Sequence, residues 1–332
     1  MRTMPRLALS LAVASCTASS TRAPAVPTQA TVAAPTASSW TTVLREANAL
    51  LGAHDYRSYR ARLAGLYRIS GSSQLLLGLA RADARVGDRE AAIAHLYEYA
   101  AMGIYTDIDA SESLAPLKDD ARWPALRARL EANRTPVAHV TTQVPLPHED
   151  LVAEGLAWSA TSGAFLVSSV HQRKILAVDA RGEARNFVVA AAGEGTFSAI
   201  VSDGRSLWAT IAALPPMVGF DAKARHPTAL AAFDLATGAS LTRVELPDDG
   251  REHALTDLAV SAGGDVYVSD SPGGMVYTLA RGASKLVPLV ADGELLSPQT
   301  PAVSADGRRL YVPDYVRGIA VIDLASRALD WL

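Results

Sequence analysis

The sequence predicts a multidomain fold, an α-helical domain followed by an all-β domain that is an incomplete β-propeller. The first observation is a unit that recurs four times in the second half: an apolar strand ending in serine, a glycine-containing turn and two returning strands. The serines that mark it are Ser159, Ser202, Ser261 and Ser304, spaced by 43, 59 and 43 residues. Units of roughly 40–50 residues with several short strands are typical of propeller blades. The second observation is apolar residues at helical spacing before residue 135.

The composition excludes several classes of function. The chain has 332 residues, 49% of them hydrophobic, which indicates a folded protein with room for two domains. The formal net charge is −3 and the basic residues are scattered, so we expect no nucleic-acid partner. No apolar run reaches the roughly 18 residues that a membrane-spanning helix needs. Contact with a membrane is therefore expected only through the N-terminus.

Residues 1–16 have the pattern of an export signal. Arg2 and Arg6 supply positive charge, and a short apolar run over 7–14 is followed by small residues. The only cysteine of the chain, Cys16, comes directly after Val-Ala-Ser at 13–15. This arrangement resembles the bacterial lipobox, and the resemblance implies that Cys16 is lipidated and becomes the mature N-terminus. Ordinary cleavage near Ala14, with Cys16 incidental, is the alternative.

Residues 17–39 are rich in Ala, Thr, Ser and Pro and predict a flexible linker, because such a composition cannot bury a core. A linker of this kind suits a lipoprotein whose folded part is held off a membrane. Thr17 does not resemble the aspartate that retains bacterial lipoproteins at the inner membrane. We therefore expect a periplasmic protein anchored to the outer membrane of a bacterium, with no internal disulfide.

Residues 40–134 predict a helical domain. Ser39 is the expected N-cap of the first helix, and Tyr59, Leu63 and Tyr67 lie on one face of the second. The expected helices span 40–52, 56–69, 72–86, 89–102 and 123–130.

The third and fourth of these helices resemble one tetratricopeptide repeat. The residues on its characteristic positions are Leu76, Leu79, Ala80, Ala92 and Leu96. Asp83 and Tyr99 depart from the pattern, and a generic helical hairpin is the alternative. Since such repeats bury their faces only against neighbours, the resemblance implies a module that binds a protein partner or packs against the β domain.

Residues 135–150 predict a connector that contains three prolines and a possible strand over 139–144. The β-propeller domain then covers 151–332, with blades expected over 151–192, 196–247, 254–291 and 299–332. The second blade is the longest because an insert over 212–227 is expected to form a loop over one face.

The phrase Glu154-Gly-Leu-Ala-Trp158 resembles the opening of the family of six-bladed propellers that contains senescence marker protein (regucalcin), gluconolactonase and luciferin-regenerating enzyme. The phrase from Ser297 to Tyr315 supports this resemblance, which covers about residues 150–332. The resemblance implies that about four of six blades are present and that the sequence is a truncated open reading frame. The strand at 139–144 would then clasp the missing last blade. A four-bladed propeller is the alternative.

The resemblance also implies a divalent ion on the propeller axis, held by a glutamate, an asparagine and an aspartate at the starts of inner strands. Oxygen ligands suit calcium, magnesium or manganese and can serve zinc, and such an ion would polarise a lactone carbonyl. Glu154 matches the glutamate. Aligning the inner strands on their serines places Phe197, Thr256 and Gln299 at the equivalent positions, with Asp257 one residue away.

This set of ligands is incomplete, so structural roles compete with metal binding. In the alternative interpretation, Glu154 is an acceptor for neighbouring backbone amides, and Gln299 is an ordinary polar residue at a strand start. Asp270 and Asp314 end equivalent strands, which predicts a role in turns.

Other catalytic signals are weak. His171 and His253 are expected to be lone histidines in loops, with no partner at metal spacing. No Gly-x-Ser-x-Gly elbow and no phosphate-binding loop is present.

The sequence therefore favours a binding module with a degenerate lactonase-like site. The partner would be a small molecule, or a protein recognised through the helical domain. The alternative is a metal-dependent lactonase or related ester hydrolase that uses Glu154. A third hypothesis is a fragment with poor solubility, because an open propeller leaves a bare edge.

Overall fold

The structure is a computed structural model that describes residues 37–136, 144–146, 150–224 and 226–332, with side chains from residue 43 onward. Four expected features lie outside the described residues: the expected export signal with Cys16, the expected linker up to residue 36, the cap side chain of Ser39 and most of the expected strand at 139–144. Residues 35–332 form one compact unit.

The helical domain contains the five expected α-helices, with ends that differ from the expected ones by at most three residues. They are α1 Ala37–Gly52, α2 Tyr56–Ser70, α3 Ser73–Val86, α4 Arg89–Ala101 and α5 Trp123–Ala132. A short 3₁₀ helix at Glu112–Leu117 was not expected. No helix in the described part of the chain is long and apolar enough to cross a membrane.

Side-chain caps and glycines explain where these helices begin and end. The Asp55 carboxylate accepts the N–H of Ser58 at the start of α2, and the Asp88 carboxylate accepts the N–H of Ala91 at the start of α4. Gly87 ends α3 with a φ of 84°, a left-handed conformation that glycine adopts without steric cost.

Asp83, the residue that departs from the tetratricopeptide pattern, joins three helices. Its side chain on α3 is 0% exposed, and it accepts a hydrogen bond of 2.7 Å from Nδ1 of His95 on α4. The guanidinium of Arg60 on α2 forms an ion pair with the same carboxylate. The carboxylate thus has charged or polar partners where the repeat pattern would place an aromatic ring.

The β domain consists of four antiparallel sheets of four strands each, in which strands pair in chain order. Each sheet falls within one of the expected blade spans, so the predicted blade-like organisation is confirmed. The strands are β1 Ala153–Ser159, β2 Ala164–Ser169, β3 Lys174–Val178 and β4 Ala184–Val189 in sheet 1; β5 Thr196–Ser202, β6 Ser206–Ala212, β7 Ala229–Asp234 and β8 Ser240–Glu245 in sheet 2; β9 Leu255–Val260, β10 Val266–Asp270, β11 Met275–Leu279 and β12 Val287–Pro288 in sheet 3; and β13 Ala302–Val303, β14 Arg309–Asp314, β15 Gly318–Asp323 and β16 Leu329–Trp331 in sheet 4.

Apolar clusters fill the spaces between successive sheets. One cluster joins sheets 1 and 2 around Phe197, a second joins sheets 2 and 3 around Leu258, and a third joins sheets 3 and 4 around Val312. The face of sheet 1 that points away from sheet 2 is only partly covered, and Leu156 and Trp158 there are 66% and 50% exposed. Stacking of amphipathic sheets is therefore the main source of stability in this domain.

Hydroxyl groups add a repeated polar link between neighbouring sheets. The donors and acceptors are Ser168 Oγ to Ser198 O, Thr210 Oγ1 to Thr256 O, and Ser269 Oγ to Gln299 O. In each case the hydroxyl lies on the second strand of one sheet. The carbonyl lies on the inner strand of the next sheet for Ser198 and Thr256, and in the segment that leads into the inner strand for Gln299. The equivalent residue of sheet 4 is Pro313, whose side chain cannot donate a hydrogen bond.

The helical domain packs on sheet 4. Leu296 and Val316, in loops at one end of that sheet, join the apolar cluster formed by Leu63 and Leu66 of α2. The Gln74 side chain of α3 also donates a hydrogen bond to the Tyr315 hydroxyl. The helices therefore contact the sheet end at which β14 passes into β15.

Candidate functional site

The starts of the inner strands, where the sequence placed a metal site, are irregular in three sheets. The inner strand bulges opposite the linking hydroxyl, and the bulges contain Glu154 in sheet 1, Ser198 in sheet 2 and Thr256 in sheet 3. In sheet 2 the stretch of inner strand between the bulge and the hairpin turn is one residue shorter than in sheets 1 and 3. The alignment on serines was therefore wrong by one residue, and Ser198 rather than Phe197 is the counterpart of Glu154. Phe197 is 1% exposed and belongs to the core between sheets 1 and 2.

The other residues at these positions already have partners. The Ser198 hydroxyl donates to Thr256 O at 2.9 Å, and the Thr256 hydroxyl lies 2.7 Å from the Ser271 hydroxyl. Asp257 lies on the inner strand of sheet 3 and accepts a hydrogen bond of 2.7 Å from the Thr300 hydroxyl. The Ser198 contact ties sheet 2 to sheet 3, and the Asp257 contact ties sheet 3 to the segment before β13, whereas the Thr256 contact stays within sheet 3.

Glu154 and Gln299 differ in whether their side chains have hydrogen-bond partners. Glu154 is exposed, and its carboxylate has no hydrogen-bond partner among the residues that the structure describes. The Gln299 amide donates to the carbonyl and the hydroxyl of Ser297, both at 3.1 Å. Its amide nitrogen is thus anchored within its own loop.

The donor groups present do not fit a tightly held divalent ion. Within the described ranges, no group of three or more His, Cys, Asp or Glu side chains is placed to hold a metal. The carboxylate that would join Glu154, that of Asp257, is engaged with Thr300. The expectation of a divalent cation therefore stays a prediction from the family resemblance, and no chemical step is derived from it.

His253 is not the lone histidine that the sequence suggested. Its Nδ1 lies 2.5 Å from Asp270 Oδ2 and its Nε2 lies 2.8 Å from Asp249 Oδ1, and the side chain is only 8% exposed. Burial lowers the pKa of His253, but the hydrogen bonds to both carboxylates outweigh this effect and raise the pKa above its ordinary value. An imidazolium can donate to both partners, whereas a neutral imidazole has one N–H.

Glycine makes room for this arrangement. A Cβ atom on Gly273 would lie 2.1 Å from Asp270 Oδ2 and 3.0 Å from His253 Nδ1. Asp270 Oδ1 also accepts the N–H groups of Ala254 and Gly273. Sequence reasoning missed the pairing of His253 with Asp270 because the contact depends on how the loop before β9 returns to the end of β10.

The turn role expected for Asp314 agrees with its contacts. One carboxylate oxygen accepts the N–H groups of Leu296 and Ser297, and the other accepts those of Val316 and Arg317. His171, by contrast, has a single hydrogen bond to its ring, at 2.7 Å to the carbonyl of Pro216, among the described residues.

A cleft of about 930 Å³ opens between sheets 2 and 3, along the turns β5–β6, β9–β10 and β11–β12. Trp208 of β6 lines it, half-buried, and its indole N–H donates to Asp203 Oδ2 at 3.0 Å. Arg205 extends from the β5–β6 turn and Arg281 from the β11–β12 turn. The cleft thus has one aromatic ring, that of Trp208, and each of its two sheets contributes one cationic side chain.

The two arginines are exposed, and neither guanidinium makes a hydrogen bond or ion pair with any residue that the structure describes. The stem of Arg281 packs on Gly264, where a Cβ atom would lie 3.1 Å from its Cδ. Sequence analysis missed this site because its parts come from separate units. The tryptophan in the second strand of sheet 2 was the only available signal.

No protein-family model matches this chain, and no curated protein matches it. It is similar to a solved protein of unknown function from Bacteroides caccae at 16% identity and a TM-score of 0.39, over 53% of this chain and 58% of that one. It is similar to streptogramin B lyase at 14% identity and a TM-score of 0.44, over 56% of each chain. It is similar to virginiamycin B lyase from Staphylococcus aureus at 13% identity and a TM-score of 0.41, again over 56% of each chain.

The matches thus span a little over half the length of each of these proteins. At such identities and TM-scores the likeness carries no argument about function. The four consecutive four-stranded sheets identify the second half of the chain as propeller-like.

Proposed function

We propose that this chain is an exported, lipid-anchored binding module, in which the cleft between sheets 2 and 3 takes a small molecule or a segment of a protein partner. The observation that supports the proposal is the cleft itself, which is lined by a half-buried indole and by two exposed arginines whose guanidinium groups make no hydrogen bond with the described residues. Tryptophan and arginine in a concave site are the residues that most often dominate recognition energies.

The helical domain is assigned a supporting role in this proposal. We take it to be a tetratricopeptide-like module that positions the sheets and offers a second surface to a protein partner. Lipidation at Cys16 would hold the chain in the periplasm at the outer membrane. Replacing Cys16 with serine should move the protein from the membrane fraction to the soluble fraction of the bacterium, whereas an unchanged distribution would contradict the anchor.

Peptide panning with the full chain tests the binding proposal. A phage-displayed peptide library would be selected on the wild-type protein and counter-selected on the Trp208→Ser variant. Enriched peptides that fail to bind the variant support the cleft as the binding site. Enriched peptides that bind both proteins equally, or no enrichment, contradict it.

A parallel measurement addresses hydrolysis. Metal content and lactone hydrolysis would be measured on the purified chain and on its Glu154→Gln variant. The binding proposal expects no activity that depends on Glu154. Stoichiometric divalent metal, together with hydrolysis abolished in the variant, would instead establish a lactonase or related ester hydrolase.

A further inference from the structure

The charges in the cleft are unevenly satisfied. Asp203 is its acidic member, and it accepts the N–H groups of Arg205 and Ser206 in addition to the Trp208 indole. Burial raises the pKa of Asp203, but the combined effect of these hydrogen bonds is larger, so its pKa lies below the usual value. The carboxylate is therefore ionised and surrounded by donors, and the nearby charge of Arg205 also helps to lower its pKa. The guanidinium groups of Arg205 and Arg281 make no hydrogen bond with any residue that the structure describes.

The two cationic groups stand on opposite walls. Arg205 belongs to a turn of sheet 2 and Arg281 to a turn of sheet 3. Trp208 lies between blades and packs on the apolar cluster that joins these sheets. A ligand that contacts both arginines and the indole therefore needs two separate anionic groups with an apolar group between them. Guanidinium groups bind carboxylates through two parallel hydrogen bonds, which favours carboxylate ligands in particular.

The cleft also suits an extended chain. Its sheet 3 wall contains several small residues in two turns, which are Ala262, Gly263, Gly282 and Ala283. Small side chains let another backbone approach closely. The volume of about 930 Å³ lies near the upper end of the range for drug-sized ligands, so a segment of several residues fits.

The chain's own linker is excluded as the occupant by its charge. Residues 17–39 contain no aspartate and no glutamate. The linker therefore cannot supply the carboxylates that the two arginines favour.

We propose that the cleft between sheets 2 and 3 binds an extended acidic peptide segment of a partner protein, with carboxylates on Arg205 and Arg281 and an apolar side chain on Trp208. This inference rests on the proposed function of a binding module and names the class of ligand for the same site. Because the peptide carboxylates and the two arginines carry opposite charges, the affinity of the cleft for the peptide should fall as the salt concentration rises, since exposed charge pairs are screened.

Fluorescence anisotropy with synthetic peptides tests the inference on the full chain. The probe is a short fluorescein-labelled peptide in which glutamates alternate with leucines, and its partners carry glutamine or lysine in place of every glutamate. We expect the acidic peptide to bind about tenfold or more tightly than the glutamine peptide, and the lysine peptide to bind weakest. A tenfold change corresponds to about 1.4 kcal/mol, the contribution of one charge-assisted contact.

Variants assign the effect to the two arginines. Arg205→Gln and Arg281→Gln should each weaken binding of the acidic peptide about five- to tenfold, and Arg281→Lys, which keeps the charge but not the planar fork, should weaken it less. The matched control is Arg308→Gln, since Arg308 is exposed in the corresponding turn of sheet 4 and outside the cleft. It should leave binding unchanged.

The outcomes separate the two proposals. If the glutamine peptide binds as well as the acidic one, and Trp208→Ser abolishes both, the binding module stands and the acidic ligand is wrong. If the acidic peptide binds but Arg205→Gln and Arg281→Gln bind it as the wild type does, the assignment to this cleft is wrong. If none of the peptides binds while panning yields ligands that depend on Trp208, only the peptide class named here fails.

Discussion

Replacing Ser168 with alanine removes the link between sheets 1 and 2 at a fully buried point. The Ser168 hydroxyl accepts the N–H of Gly155 at 2.7 Å and donates to the Ser198 carbonyl at 2.5 Å. Alanine fits the same space without either bond. The change therefore leaves one donor and one acceptor without a partner and alters little else in the packing.

The cost follows from the burial of these two groups. An average hydrogen bond contributes about 1 kcal/mol, and a buried group left without a partner costs about 1–3 kcal/mol. Ser198 is 5% exposed, so water does not replace the lost bond at its carbonyl, whereas the N–H of the less buried Gly155 is easier to hydrate. We expect Ser168→Ala to lower the free energy of unfolding by about 2–3 kcal/mol.

Urea unfolding followed by circular dichroism measures this change, and hydrogen exchange locates it at the Gly155 amide, which should lose protection. Ser240→Ala is the matched control, because Ser240 is an exposed strand residue whose hydroxyl has no hydrogen bond among the described residues. It should change stability by less than about 0.5 kcal/mol. A similarly small effect for Ser168→Ala, with exchange at Gly155 unchanged, would refute the role of the hydroxyl link.

Two further predictions concern buried charges. Because the folded pKa of His253 is raised, its contribution to stability is present below the unfolded value of about 6.5 and is lost as the pH rises through the folded value. The free energy of unfolding, measured with urea, should therefore fall in the wild type as the pH rises from the unfolded pKa of His253 through its folded pKa. It should depend less on pH in His253→Asn, and equal pH profiles for the two proteins would contradict the double hydrogen bond. Asp83→Ala should lower the melting temperature by removing the partner of Arg60 and His95, at a cost of about 2–4 kcal/mol. Differential scanning calorimetry measures it, and a change within error would show that these helices do not depend on the buried carboxylate.

Local pattern was enough to predict the helices and sheets. The helices have strong apolar spacing and clear caps, as at Asp88, and each sheet repeats a strand, a glycine turn and a returning strand. These signals lie within about 15 residues of sequence, where periodicity is informative. The tetratricopeptide resemblance of α3 and α4 is a finer statement that stays a proposal.

The site could not be predicted in the same way because its geometry depends on contacts between units. The register of sheet 2 differs by one residue from that of its neighbours. For this reason the alignment on serines predicted Phe197 at the position that Ser198 occupies. The pairing of His253 with Asp270 spans 17 residues and depends on how a loop folds back. The cleft brings together Arg205 and Arg281, which no single repeat contains.

The hydroxyl links also bear on the choice between binding and hydrolysis. In the resemblance, the starts of the inner strands carry metal ligands, whereas here Ser198 and Thr256 occupy two of those positions. The Ser198 hydroxyl connects sheet 2 to sheet 3, and the Thr256 hydroxyl is bonded to Ser271 at the end of β10. A side chain that holds two sheets together cannot also turn toward the axis without losing that bond. Glu154 then lacks a second carboxylate with which to share an ion. The proposed recognition of a ligand relies instead on Arg205 and Arg281 of the cleft, whose guanidinium groups make no hydrogen bond with the described residues.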